Sequence, residues 1–99
     1  MRNAVYRDRA RRLSVFRAEH QRLLYRAILR DRALPHSLRY VFILKLNALP
    51  RNSTAIRVRN RCVLTGRSRG NLRYFKCSRI SLRELISNGQ VPGLTKSSW

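Results

Sequence analysis

Arginine is the residue type with the most chemistry to offer in this sequence. Arg57, Arg59, Arg61, Arg67 and Arg69 crowd one short stretch with no carboxylate among them. A guanidinium is planar and permanently charged, and its fork of N–H donors matches a phosphate two bonds at a time. Arg57, Arg59 and Arg61 also alternate with Ile56 and Val58, a period-two pattern that predicts an extended segment with one basic face. Alternate residues on a strand lie about 6.6 Å apart, close to the step between phosphates of single-stranded RNA. The chemistry indicated is therefore phosphate-backbone binding. Other reactive residues are sparse. Cys62 and Cys77 are the two cysteines, too few for a disulfide framework, and they read as free thiols in a reducing compartment. His20 falls on an apolar stripe and reads as a packed histidine, and nothing singles out His36. The sequence has no Gly-rich phosphate loop, no paired carboxylates and no nucleophile with a base at a recognised spacing. Catalysis is not expected.

The whole composition points the same way. The 99 residues carry 23 Lys plus Arg against four Asp plus Glu, a formal net charge of +19. Self-repulsion on this scale opposes compaction until an anion neutralises it, and nucleic acid supplies phosphates whose counterions are released on binding. Of the basic residues only Lys45, Lys76 and Lys96 are lysines, a bias toward bidentate contacts over a generic cationic surface. Tyr74, Phe75 and Trp99 add aromatic faces that could stack on bases or sugars, with Phe75 better placed in a core. The longest apolar run, Tyr40 to Leu44, is far below the roughly 20 residues that span a bilayer.

These residues need elements to position them. From Asn3 to Asp31 there is neither Pro nor Gly, and Leu13, Phe16, His20, Leu24, Ala27 and Ile28 recur at helical spacing, which predicts a long amphipathic helix packed through that stripe. Arg22, Arg26 and Arg30 lie opposite at intervals of four, where like charges repel unless a phosphate intervenes. A continuous helix would run about 40 Å against a radius of gyration near 13 Å for a domain of this size, so much of it should stand outside any compact core; the alternative is two shorter helices folded back on themselves. Leu34 and Pro35 break the pattern. A second helix is predicted from Ser37 to Leu49, with Leu38, Val41, Phe42, Lys45 and Leu46 on one face. Its polar side is too weakly charged for a membrane-surface helix. The stretch from Arg51 to Lys76, punctuated by Gly66 and Gly70, reads as irregular and basic. A last helix is signalled by Ser78 and Ser81 as candidate N-caps, by a Ser81–Glu84 capping box and by Gly89 as the stop. The fold class expected is mostly α with irregular basic segments: extended N-terminal helices, a loop-rich RNA-binding region, a short C-terminal helix and no compact large core.

The second half of the chain carries a set of fragments in order: ArgAsnArgCys at 59–62, ThrGlyArg at 65–67, Arg69, Arg73, Phe75, SerArgIle at 78–80, ArgGluLeu at 83–85, ProGly at 92–93 and LysSerSerTrp at 96–99. With LeuProArgAsnSer at 49–53 before them, they resemble the universal small-subunit ribosomal protein S-fourteen family. The resemblance implies a basic helical extension over residues 1–50 and the family's RNA-binding module over 51–99. Zinc-binding members of the family carry two CxxC pairs, the tetrahedral thiolate set of a structural metal. Here the first ligand position is Cys62 and the others hold Thr65, Ser78 and Ser81, with Cys77 one residue away from restoring the pattern. Neutral hydroxyls do not replace thiolates on zinc, so this chain resembles the longer, metal-free form, and no metal or cofactor is expected.

The residues expected on RNA are Arg9, Arg11, Arg12, Arg22 and Arg26 of the first helix; Arg51, Arg57, Arg59, Asn60, Arg61, Thr65, Arg67, Arg69, Arg73 and Arg79 of the module; and Lys96, Ser97, Ser98 and Trp99 of the tail, delivered by a turn at Pro92–Gly93. The resemblance implies a structural constituent of the small ribosomal subunit, binding ribosomal RNA in the subunit head beside small-subunit proteins three, ten and nineteen, with no membrane and no homo-oligomer. A free nucleic-acid-binding regulator is the alternative, and a membrane-active cationic peptide a third reading. A regulator needs a reading helix, whereas basic residues here spread over nearly the whole length. The Arg-rich start resembles a mitochondrial presequence, yet removing it would delete the first helix, so it is read as mature structure. The Arg excess and the ThrGlyArgSerArgGly variation fit an organellar, mitochondrial ribosome, with bacterial cytoplasm and plastid as alternatives.

Overall fold

A computed structural model describes residues 2–99. The order of elements is α1 (Arg2–Arg30), α2 (His36–Asn47), two single 3-10 turns (Arg51–Ser53 and Ala55–Arg57), β1 (Asn71–Leu72), β2 (Cys77–Ser78) and α3 (Arg79–Ser87). The expected class is therefore observed, and the two N-terminal helices fall within two residues of their predicted bounds. Chain contacts divide the protein into two units: Arg9–Val58, and the residues up to Asp8 together with Arg59–Trp99.

In the Arg9–Val58 unit, α1 and α2 are joined by a tight turn. The Asp31 carboxylate accepts from the Ala33 N–H at 3.0 Å, an Asx turn of the kind that fixes a short connection. Pro35 is extended at φ −64° and ψ 150°, so α2 starts where the pyrrolidine ring no longer has to donate a hydrogen bond. The helices meet through Tyr25 and Phe42, whose ring centroids are 5.7 Å apart, and Lys45 Nζ sits 5.0 Å from the Phe42 ring centre, a cation–π contact that keeps the charged head at the edge of an apolar surface.

Of the predicted packing face of α1, only Ile28 lies on the more covered side. Leu13, Phe16 and Leu24 are 47, 81 and 50 % exposed, and His20 and Ala27 are exposed with them. The more covered side runs through Ser14, Ala18, Arg22, Tyr25 and Leu29. Arg22 is 9 % exposed; its guanidinium donates to Ser53 Oγ at 2.8 Å and to the Pro50 carbonyl at 3.3 Å. The Ser53 hydroxyl also donates to Pro50 O, so the turn after α2 is latched to α1 by a buried polar group.

The alternating segment is also corrected. Residues 55–57 form a 3-10 turn, with Arg57 N–H on Thr54 O at 3.2 Å and Val58 N–H on Ala55 O at 3.1 Å. Alternation stabilises a strand when its apolar side is buried, whereas Ile56 is 90 % exposed. The Arg57 side chain turns back to donate to Asn52 Oδ1 at 2.7 Å.

In the other unit, β1 and β2 form an antiparallel hairpin with Asn71 opposite Ser78 and Leu72 opposite Cys77, an element that the irregular reading of this region did not include. Its turn closes through Lys76 N–H on Leu72 O at 2.9 Å, with Lys76 at φ 55°. β2 leads straight into α3, whose N-cap is Ser78: its hydroxyl accepts from the Ser81 N–H at 3.2 Å. Ser81 is thus inside the first turn, and the expected Ser81–Glu84 capping box does not form the cap. At the other end Gly89, at φ 69°, accepts the left-handed conformation that stops the helix. Gly89 N–H bonds Ile86 O and Gln90 N–H bonds Leu85 O, each at 3.0 Å, the paired bonds of a Schellman ending. Among the described residues, the buried apolar side chains are Cys62 and Leu82.

Candidate nucleic-acid interface

The basic loop before β1 is built on its own backbone. Cys62 N–H donates to Arg67 O and Gly66 N–H to Cys62 O, both at 2.9 Å, folding residues 62–67 into a closed turn that Gly66 completes at φ 80°. The Asn71 amide then binds two carbonyls, Arg67 O at 2.8 Å and Asn60 O at 2.9 Å, tying both sides of the turn to β1. Asn71 was not singled out from the sequence, although a side chain that donates two bonds beside Gly70 is the signal that marks it. Gly70 itself, at φ 65°, leaves space filled by Arg79: a Cβ there would meet Arg79 Cδ at 3.4 Å, while Arg79 N–H donates to Gly70 O at 2.9 Å.

The arginines use this frame to fix their heads. Arg59 Nε donates to Ser68 O at 3.2 Å, Arg61 to Gly66 O at 3.0 Å and Arg67 Nε to Arg69 O at 3.2 Å. Each bond to a carbonyl fixes the orientation of a guanidinium head. Arg59 and Arg69 are exposed and Arg61 and Arg67 half-buried, so one short loop carries several guanidinium groups. Such an arrangement raises the positive potential at the surface and favours an anion with several charged groups. Asn60, Thr65 and Arg73 are exposed near the same loop and hairpin, and Tyr74 at the hairpin turn is 88 % exposed, edge-on to Phe75 with centroids 4.9 Å apart.

Beneath the loop, Cys62, Thr65, Ser78 and Ser81, the four positions that the resemblance set against a zinc site, come together. Cys62 is fully buried, and Ser78 and Ser81 are 1 and 6 % exposed. Ser78 Oγ donates to Ser81 Oγ at 3.0 Å, Cys62 Sγ lies 3.7 Å from Ser81 Oγ, and the Thr65 N–H donates to Cys62 Sγ at 3.5 Å. Burial pushes the Cys62 thiol up, but hydrogen bonds from the Thr65 side chain and N–H, the Ser78 N–H and the Ser81 side chain outweigh it and hold Cys62 at about 6. Cys77 moves the other way, pushed up by burial and then by the charge and hydrogen bond of Cys62. One thiol with three hydroxyl residues does not fit the four-thiolate requirement of a structural zinc. What the cluster does instead is surround one acceptor sulfur with donors.

The remaining expected residues divide. Arg9, Arg12, Arg26, Arg51, Arg79 and Arg57 are exposed and Arg11 is half-buried. Arg22 is the exception, since its guanidinium is held inside the Arg9–Val58 unit. In the tail, Gly93 at φ 80° follows Pro92, as a type II turn requires. The chain then runs along α3, where Thr95 and Lys96 line a groove with Leu72, Ile80, Leu82 and Ile86. Ser97 and Ser98 are exposed and Trp99 wholly so.

A charged loop anchored on its own carbonyls is the frame of an anion-binding surface. Residues 45–98 match the family described as "Ribosomal protein S14p/S29e". Over 99 residues, all of both chains, the sequence is 50% identical to "Small ribosomal subunit protein uS14m" of Marchantia polymorpha. It is also 50% identical to "Small ribosomal subunit protein uS14" of Rhodospirillum centenum over 98% of this chain and 96% of that one, and 44% identical to "Small ribosomal subunit protein uS14m" of Prototheca wickerhamii over 98% of each. The chain belongs to the ribosomal protein S14p/S29e family, and is a structural component, not an enzyme.

Proposed function

We propose that this protein is a structural constituent of the small ribosomal subunit that binds ribosomal RNA in the subunit head, in the mitochondrial ribosome. The observation that carries the RNA reading is the loop of residues 59–69, where Arg59, Arg61 and Arg67 are each fixed by a backbone carbonyl. Heads oriented before binding lose less entropy when a phosphate arrives. Arg69, Arg73, Asn60, Thr65 and Arg79 extend this surface, and Arg9, Arg11, Arg12, Arg26, Arg51 and Arg57 supply further phosphate contacts. Lys96, Ser97, Ser98 and Trp99 make tail contacts. Whole-length similarity to proteins named uS14m supports the mitochondrial placement, and similarity to bacterial uS14 proteins supports the subunit.

Protein neighbours in the head belong to the same reading. Phe16, Leu23 and Leu24 of α1 and Leu38, Tyr40, Val41, Ile43 and Leu44 of α2 are at least 41 % exposed, more apolar surface than scattered single residues explain. The family resemblance names small-subunit proteins three, ten and nineteen as the occupants. Gradient sedimentation of mitochondrial and cytosolic extracts carrying a tagged chain tests the placement. The expected result is co-migration with mitochondrial small subunits through a high-salt wash. Release by that wash into RNA-free fractions would identify a free regulator instead.

A further inference from the structure

Two thiols that no part of the RNA reading uses lie side by side. The hydrogen bond from Val63 N–H to Lys76 O, 3.1 Å long, sets the segment leaving Cys62 against the segment entering Cys77, which makes the two cysteines neighbours across it. Cys62 is fully buried and Cys77 partly accessible. Residues facing one another on adjacent segments have backbones about 4.5–5.5 Å apart, within the range of about 4.4–6.8 Å that a disulfide spans.

We propose that Cys62 and Cys77 are a redox-active dithiol that closes reversibly to a disulfide, clamping the loop that carries Arg67, Arg69 and Arg73. Access assigns the order of events. With a low-molecular-weight disulfide such as oxidised glutathione as oxidant, the Cys77 thiolate attacks one of its sulfurs, forming a mixed disulfide and releasing one glutathione thiolate. The Cys62 sulfur, stabilised as an anion by the Thr65 N–H and its neighbours, then attacks Cys77 Sγ and expels the second glutathione. The proton of Cys77 and one from solvent, Cys62 being already an anion, end on the two released glutathione thiolates, and two electrons pass to the small disulfide. The buried partner thus acts as the resolving thiol, and thiol–disulfide exchange needs such a thiolate within reach. The loop enclosed runs from the closed turn at Gly66 through the β1–β2 hairpin, so oxidation staples these two elements together. The inference does not depend on which residues contact RNA, and it rests on the ribosomal placement proposed above only for the particles used in its test.

The test equilibrates purified ribosomal subunits containing the full chain in reduced-to-oxidised glutathione buffers, followed by acid quench, alkylation and tryptic mass mapping. The expected product is the peptide of residues 62–67 joined to that of residues 77–79, lost on dithiothreitol treatment, with both cysteines protected from alkylation in step. In Cys62→Ser, Cys77 should stop at the glutathione adduct, at least tenfold more abundant than in the parent chain. Two outcomes overturn the proposal: both cysteines alkylated at every ratio, or Cys77 glutathionylated in the parent chain while Cys62 remains a free thiol. If Cys62→Ser fails to assemble, the parent-chain peptide map alone decides.

Discussion

Arg22→Ala separates an arginine that builds the protein from one that binds RNA. Its guanidinium makes one short bond, 2.8 Å to Ser53 Oγ, and one long bond, 3.3 Å to Pro50 O. A bond from a charged donor contributes about 1.5–3 kcal/mol, and the long one less. Against that, Nε is buried without a partner, and removing an orphaned donor returns about 1 kcal/mol or more. Loss of the aliphatic stem adds a further packing cost. The net destabilisation is about 2 kcal/mol, which in coupled folding and binding weakens RNA affinity roughly 30-fold. No phosphate contact is lost, so the dependence on salt is unchanged. Arg26 is one turn away and exposed; Arg26→Ala removes a phosphate contact and lowers the slope of log K against log salt by about 0.7–0.9. The assay is filter binding or fluorescence anisotropy of the full chain on its ribosomal RNA between about 50 and 200 mM salt. Arg22→Ala should give a parallel line displaced downward, and Arg26→Ala a shallower one. A slope for Arg22→Ala as shallow as that of Arg26→Ala would refute the structural role of Arg22.

Three further outcomes are expected. The parent chain should lose about a thousandfold or more in RNA affinity across the same salt range, given eight or so phosphate contacts, and a flat response would contradict a phosphate-dominated interface. Cys62 is held at about 6 against an ordinary value near 8.5; a depressed acid stabilises the fold fully above its unfolded value and loses that contribution as pH falls through the folded one. The RNA-bound chain should therefore melt progressively earlier from about pH 8.5 down to 5.5, by up to roughly 3 kcal/mol, and Cys62→Ser should flatten the profile; an unchanged profile in that variant would exclude the thiolate. Deleting residues 96–99 should reduce incorporation into small subunits, measured by quantitative proteomics, without melting α3, because Ser78 and Gly89 hold its two ends; full incorporation would show the tail to be dispensable.

Helix limits were legible because Pro, Gly and serine caps act locally: the chain breaks at Pro35, starts α3 at Ser78 and stops it at Gly89. The face of α1 was not. Apolar periodicity reports which side seeks burial but not what covers it, and Phe16 and Leu24 remain exposed while Arg22 finds acceptors on the turn after α2. Arg57 likewise lies in a 3-10 turn because the exposure of Ile56 leaves a strand nothing to pack. The family fragments located Cys62, Thr65, Ser78 and Ser81 without indicating that the last three would point donors at the first. That convergence depends on the β1–β2 hairpin, whose two-residue strands are too short for a period to register.

The donor cage around Cys62 also bears on how such a site changes by mutation. A metal held by four thiolates fails abruptly when one ligand is lost, since a charged ion is left underbound. A cage of hydroxyls and N–H groups degrades in steps, each removing one donor. Serine and cysteine differ by one atom, so Ser78→Cys and Ser81→Cys are small changes in volume, and Thr65→Cys completes a four-thiolate set. The present donors hold one another through hydrogen bonds without an ion, so each single exchange of hydroxyl for thiol at these positions should cost one donor at a time rather than the whole arrangement.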